Sequence, residues 1–152
     1  MRALVQRVAN ASVSLDDQVV SSIDSGILVF LGIAKGDGQA ELDFVAKKVA
    51  NLRIFADRAG KMNLSVQDVG GEVLIVSQFT LYGNTAKGNR PGFDRAMDPE
   101  PAQALYEAFC AAVESYGVGV RRGVFGGDMQ IALTNDGPVT LLIEKESTAH
   151  LG

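Results

Sequence analysis

The run GILVFLGI, Gly26 to Ile33, carries no polar side chain. A strand with one face in water alternates polar and apolar residues. A continuous apolar run bounded by glycines fits a strand covered on both faces. EVLIVSQFTL, from Glu72 to Leu81, is the most strand-like stretch of the middle of the chain. With 152 residues, 47% hydrophobic and 21% charged, the chain has the length and composition for one folded domain with a real core, residues 1–152, and not for disorder.

The flanking stretches fill in the class. RALVQRVANASVSL reads as a strand, a turn and a second strand, and QVVSSI as a short strand. In DGQAELDFVAKKVANLRIF, Leu42, Val45, Ala46 and Val49 fall on one helical face, with Asp37 placed to cap it. MDPEPAQALYEAFCAAVESYG predicts a second helix. Asp98 and Pro99 mark its start, Glu100 sits near the positive end of its dipole, and Gly117 marks its stop. Leu105, Phe109, Ala112, Val113 and Tyr116 form its apolar stripe. GVGV, GGDMQIALT and PVTLLIE close the chain as strands. Many strands and two main helices predict an α+β fold, with the helices packed on one side of curved sheets.

Composition narrows the chemistry. There is one cysteine, Cys110, and one histidine, His150. An internal disulfide is impossible, and a Cys/His zinc site lacks ligands, so neither a metal nor a cofactor is expected. Cys110 lies in a helical pattern and reads as a buried structural thiol. His150 stands two residues from the end, where a catalytic base would have to be held. A Ser-His-Asp or Cys-His mechanism has little material here. No apolar run approaches the roughly 20 residues that span a bilayer, and MRALVQRVAN lacks a signal-peptide core, so the expected location is cytoplasmic, with no membrane partner. Net charge is −4, which does not announce nucleic-acid binding. Local basic groups remain: Lys87, Arg90 and Arg95; Arg121 and Arg122; Lys47, Lys48 and Arg53. Solvated surface charge is the plain reading of each.

Three stretches could carry chemistry. In VSQFTLYG, a strand from Val76 to Leu81 would put Ser77, Phe79 and Leu81 on one face and Gln78 and Thr80 on the other. That is either a strand with one wetter side or a strand end whose hydroxyl, amide and backbone N–H groups bind a carbonyl and its oxyanion. In RGVFGGDMQIAL, Gly126-Gly127 is either a bulge beside core residues Phe125 and Met129, or a pocket wall with Phe125 as a stacking surface for a base. In ALTNDGPVTLLIE, Asn135-Asp136-Gly137-Pro138 reads as a hairpin between two strands, with a proline that cannot donate to a ladder. Residues 83–95, glycine-rich and polar, form a loop long enough to suspect function.

Taken together, MRALVQRV, LRIFADRAGKMNLSV, VSQFTL, KGNRPGF, GVFGGDM and NDGPVT resemble the D-aminoacyl-tRNA deacylases over essentially the full chain. SQFTL and NxGPxT are that family's two signature motifs, and both stand intact. The resemblance implies layered β/β/α architecture, a homodimer with sites at the interface, and the aminoacylated 3′ end of tRNA as partner. It implies a cis Gly137–Pro138 peptide inserted into the partner subunit's site, where it rejects L side chains by exclusion while D-aminoacyl and glycyl esters are hydrolysed. Gln78, Phe79 and Thr80 would be catalytic. Ser77 would line the site with them, and Phe125 and Met129 would help seat the adenosine and shape the pocket. Lys87, Arg90 and Arg122 are the candidate tRNA contacts. A water helped by the ribose 2′-hydroxyl, with backbone N–H support at Phe79–Thr80, is preferred over Thr80 as nucleophile, for which the sequence offers no nearby base. The alternative is a non-catalytic module that binds the tRNA end.

Overall fold

The computed structural model describes residues 1–148; His150 lies outside them. In chain order the elements are β1 (Arg2–Leu15), β2 (Gln18–Ile23), β3 (Gly26–Gly32), α1 (Gln39–Asn51), β4 (Phe55–Ala56), β5 (Met62–Leu64), β6 (Glu72–Ser77), a 3₁₀ turn (Phe79–Tyr82), α2 (Pro99–Glu114), β7 (Gly119–Arg122) and β8 (Gln130–Glu144). β1 is one 14-residue strand, where the sequence suggested a strand, a turn and a strand. Pairing on both edges keeps it extended. β3 and then β2 follow each other along one edge, while β8 runs along the other from Arg2↔Glu144 to Ser14↔Gln130.

The sheet order is β2-β1-β3-β6-β7, with β8 added on β1. β1 is antiparallel to all its neighbours, whereas β3–β6 and β6–β7 are parallel. A parallel pair needs a crossover, and α1 and α2 lie in these two connections. Both helices bury into one cluster. Val45, Val49, Phe109 and Val113 meet Ile27, Val29 and Leu31 of β3 and Val73 and Ile75 of β6. The alternate residues, Leu28 of β3 with Leu74 and Val76 of β6, join a second cluster with Val8, Ala11, Val13 and Ile23. β3 is therefore covered on both faces, as its sequence requires, and the layering is helix, sheet, sheet.

The helix ends depart from expectation in one place. The N-cap of α1 is Gly38, whose N–H donates to the Glu41 carboxylate at 2.8 Å; this holds the Glu41 carboxyl below the usual range. Asp37 is drawn inward instead. Its carboxylate lies 2.9 Å from the Met1 ammonium and accepts the Ala34 N–H at 2.7 Å. The same ammonium donates to the Lys145 carbonyl at 2.8 Å. The buried ammonium takes this carboxylate in preference to the helix terminus, because an unpaired buried charge is far costlier than an uncapped helix.

α2 is rotated from the predicted stripe. Ala102, Tyr106, Phe109, Cys110 and Val113 are its buried face, and Tyr116 is exposed. The Tyr106 hydroxyl donates to the Ile75 carbonyl at 2.6 Å, so the ring can be buried with its polar tip satisfied. Cys110 is fully buried beside it, and burial pushes its thiol up to about 11. The native thiol is thus protonated at neutral pH and shielded. Alkylation by iodoacetamide is expected to be negligible in the folded protein and rapid once denaturant is added; rapid native labelling would contradict this burial. Among the described residues, no helix is long and apolar enough to cross a membrane.

Candidate active site

β6 ends at Ser77, and the end is abrupt for a physical reason. Its parallel partner β3 is itself finishing, with Leu31 opposite Ser77 and a last rung from Gln78 N–H to the Leu31 carbonyl at 2.8 Å. The chain then closes a 3₁₀ turn, Leu81 N–H donating to the Gln78 carbonyl and Gly83 N–H to that of Thr80. The expected two-faced strand from Val76 to Leu81 therefore does not form. The turn packs directly on Gly32. A Cβ there would lie 2.9 Å from Leu81 Cβ and 3.3 Å from the Gln78 carbonyl oxygen. From the far side, Arg2 Nη1 donates to the Leu81 carbonyl at 2.9 Å.

This turn forms one wall of a cavity of about 800 Å³. Ser77, Gln78 and Phe79 line it on one side. Phe125, Gly126, Gly127, Asp128 and Met129 line it on another, and Met97, Asp98 and Ala102 bring in the start of α2. The two motifs, nearly fifty residues apart in the chain, are thus brought face to face. The glycine pair does act as wall: Gly127 N–H donates to the Val124 carbonyl, and Met129 N–H to that of Gly127, folding the segment into a tight turn. Met129 sulfur receives the Val124 N–H at 3.3 Å, which fixes the thioether against the turn. Phe125 leans on Tyr106, their ring centroids 5.9 Å apart.

Thr80 stands at the rim, exposed, and is not among the residues lining the cavity. Its hydroxyl accepts a short hydrogen bond from Gln78 Nε2. The neighbour of that hydroxyl is an amide donor, which cannot take its proton. Phe79 is 55% exposed and meets the Phe93 ring edge-on at 5.2 Å.

The third stretch is not a hairpin. β8 runs unbroken through Asn135-Asp136-Gly137-Pro138, and the motif is a bulge in its pairing with β1: Val8 faces Asn135, Gln6 faces Thr140, and the residues between have only Arg7 opposite. Turn chemistry is used, but inside a strand. Asn135 Nδ2 donates to the Arg7 and Val139 carbonyls at 3.1 and 3.0 Å, and Arg7 Nε donates to the Asp136 carbonyl at 3.0 Å. Arg7 Nη1 also donates to the Ile54 carbonyl. Gly137 has φ of 104°, and a Cβ there would fall 1.7 Å from Arg7 Nη2. The Gly137–Pro138 peptide is trans, which corrects the cis expectation. Trans is the intrinsically preferred isomer by about 0.5–1 kcal/mol, and the side-chain bonds that shape the bulge fall on the flanking Asp136 and Val139 carbonyls. Both residues are exposed and neither lines the cavity of their own chain.

Of the basic candidates, Lys87 and Arg90 line a separate groove, and Arg122 is held at 3.2 Å by Glu114, the last residue of α2. Sequence reading missed Arg7, Phe93 and Met97, and read Asp98 only as the start of a helix. Phe93 carried the one available signal, an aromatic in a polar loop; Arg7 and Met97 look like ordinary strand and loop residues. Among the described residues, no group of three His, Cys, Asp or Glu side chains is placed to hold a metal ion.

The model of the D-Tyr-tRNA(Tyr) deacylase family matches residues 4–144. The chain belongs to that family. The matched span takes in SQFTL, GVFGGDM and NDGPVT, so every stretch that builds the candidate site lies within the deacylase region. The D-aminoacyl-tRNA deacylase of Anaeromyxobacter dehalogenans is 55% identical over 144 residues, covering 95% of this chain and 97% of its own. That of Desulfitobacterium hafniense is 53% identical over 146 residues, covering 96% and 98%. A solved structure of a c-Myc DNA unwinding element binding protein superposes with a TM-score of 0.90 at 42% identity, covering 97% of this chain and all of its own. The deacylase fold is thus shared with a protein described by what it binds.

Proposed function

We propose that this chain hydrolyses the ester of D-aminoacyl-tRNA, and of glycyl-tRNA, to free amino acid and tRNA, and rejects the L-aminoacyl ester. The carrying observation is the cavity that joins Ser77–Phe79 to Phe125–Met129 in a member of the deacylase family. An aromatic and thioether wall suits the terminal adenosine. A water oxygen attacks the ester carbonyl carbon, the bond to the ribose oxygen breaks, and the proton from water passes to that oxygen. The ribose 2′-hydroxyl assists the proton, and backbone N–H groups at Phe79 and Thr80, at the start of the 3₁₀ turn, support the oxyanion.

Selection comes from Gly137–Pro138 of a second subunit in a homodimer. Two observations support this. The bulge is exposed, and it is absent from the wall of its own cavity. A glycine–proline wall that excludes one configuration needs no contact with a particular side chain, so breadth over D-amino acids and leakage of glycine follow. Released amino acid from matched D-tyrosyl- and L-tyrosyl-tRNA, at catalytic enzyme, tests the reading. Release of D alone supports it; release of both removes the chiral filter; release of neither removes the activity.

The hydrogen bond from Gln78 to Thr80 leads to a second expectation. Thr80→Ala is expected to keep kcat within about tenfold of the parent, since loss of a group acting only through its backbone costs little. Complete loss, with folding and tRNA binding intact, would restore the nucleophile model. The non-catalytic reading is favoured only by the likeness to the DNA unwinding element binding protein, and multiple turnover in that assay would exclude it.

A further inference from the structure

The loop between the 3₁₀ turn and α2 folds back on itself. Asn84 and Gly92 exchange N–H to carbonyl bonds in both directions, at 2.7 and 2.9 Å, and Asn84 Oδ1 accepts the Ala86 N–H at 2.9 Å. Gly88, at φ of 66°, turns the tip. Beneath this loop is a groove of about 350 Å³, lined by Asn84, Lys87, Arg90, Asp94 and Arg95 among others.

Its charges are not equivalent. Arg95 is committed elsewhere: Nη2 lies 3.1 Å from Glu146, and its guanidinium stacks 5.2 Å from the Tyr82 ring centre. Asp94 contributes one carboxylate to the wall. Lys87 and Arg90 are exposed, and neither takes part in an ion pair or hydrogen bond described for this chain. With Arg95 paired to Glu146, Lys87 and Arg90 outweigh the single carboxylate of Asp94, a local exception on a chain of net charge −4. Concave, like-charged surfaces focus field, so the groove favours an anionic partner.

Its position gives the ligand. Phe93 follows Gly92 at the base of the loop, lines the large cavity, and packs against Phe79 of the catalytic turn. The groove and the large cavity are therefore neighbours along one segment: Gly92 and Asp94 line the groove, and Phe93 between them lines the cavity. We propose that the groove holds the sugar–phosphate backbone of the single-stranded nucleotides leading to the esterified adenosine, with Lys87 and Arg90 on two successive phosphates. The identity of that strand rests on the deacylase reading; the anion site does not. Arg122, tied to Glu114, is left out of the contact set.

The test measures binding of uncharged tRNA by fluorescence anisotropy over a series of KCl concentrations. The proteins are the parent, Lys87→Ala/Arg90→Ala, and a charge-matched Lys47→Ala/Lys48→Ala control on α1. Two lost single-strand phosphate contacts should make the slope of log K against log salt shallower by about 1.4, at roughly 0.7 each. The control should keep the parent slope. With D-tyrosyl-tRNA, the loop variant should raise KM about tenfold and hold kcat, the pattern of a contact made equally in ground and transition states. A loop variant with the parent's Kd and slope, or a control that loses as much, would overturn the groove. A parent that binds tRNA with the expected slope but releases no D-tyrosine would sink the deacylase reading and leave the groove standing.

Discussion

Gly137→Ala is expected to cut turnover of D-tyrosyl-tRNA by about a hundredfold, the cost of misplacing a positioning element by about an ångström. The D over L preference should collapse with it. Two causes act together. The backbone at Gly137 has φ of 104°, and a side chain there costs about 1–2 kcal/mol in the left-handed region. The new methyl would also sit 1.7 Å from Arg7 Nη2, so the guanidinium must leave the site where it holds the Asp136 carbonyl. The causes separate in a double variant. Arg7→Ala removes the obstacle but not the strain, so Gly137→Ala/Arg7→Ala should be no more than the sum of its parts and is expected to fall well below it. Rates and D/L ratios on matched tyrosyl-tRNAs decide. Parent-like values for Gly137→Ala would mean that the bulge is no selector.

Asp37→Asn is expected to be strongly destabilising although it changes only one side-chain atom. The Asp37 carboxylate and the Met1 ammonium are both fully buried, 2.9 Å apart. The amide can still accept the Ala34 N–H, but it cannot neutralise the ammonium. Breaking one side of a buried pair costs about 3–5 kcal/mol, since the remaining charge stays desolvated. For a chain of this size, where each kcal/mol moves the melting temperature by about 2–4 °C, the expected drop is on the order of 10 °C. A thermal melt with a loss under about 2 °C would show that the ammonium escapes to water.

Much of this was readable in one dimension. Gly26–Ile33 called for cover on both faces and has it, with Ile27 and Val29 turned to the helices and Leu28 to the second cluster. The stripe of α1 is buried as its spacing demands. Ser77, Gln78 and Phe79 line one cavity with Phe125 and Met129, while Thr80, expected beside them, stands at the rim. What failed, failed where a distant partner decides. VSQFTL alternates like a strand, yet it turns after Ser77 because β3 runs out of ladder. Asn135–Pro138 has every mark of a hairpin, but a residue 128 positions earlier supplies the hydrogen bond that makes it a bulge. Asp37 looked like a cap, and a buried ammonium claimed it. Local chemistry names the conformations a segment can adopt; the choice among them is made by partners the segment cannot see.

The pairing of β1 with β8 also bears on how the chain reaches this state. Arg2 lies opposite Glu144, so the second half of β1's hydrogen bonds waits until residue 144 has been made. Contacts this distant in sequence are closed late and slowly, against the entropy of the whole intervening loop. Until then, a 14-residue strand rich in valine offers an open edge to any neighbour. A ribosome-bound chain ending before Gln130 should therefore be sticky instead of partly active, and β8 delivers the candidate selector in the same event that seals the sheet.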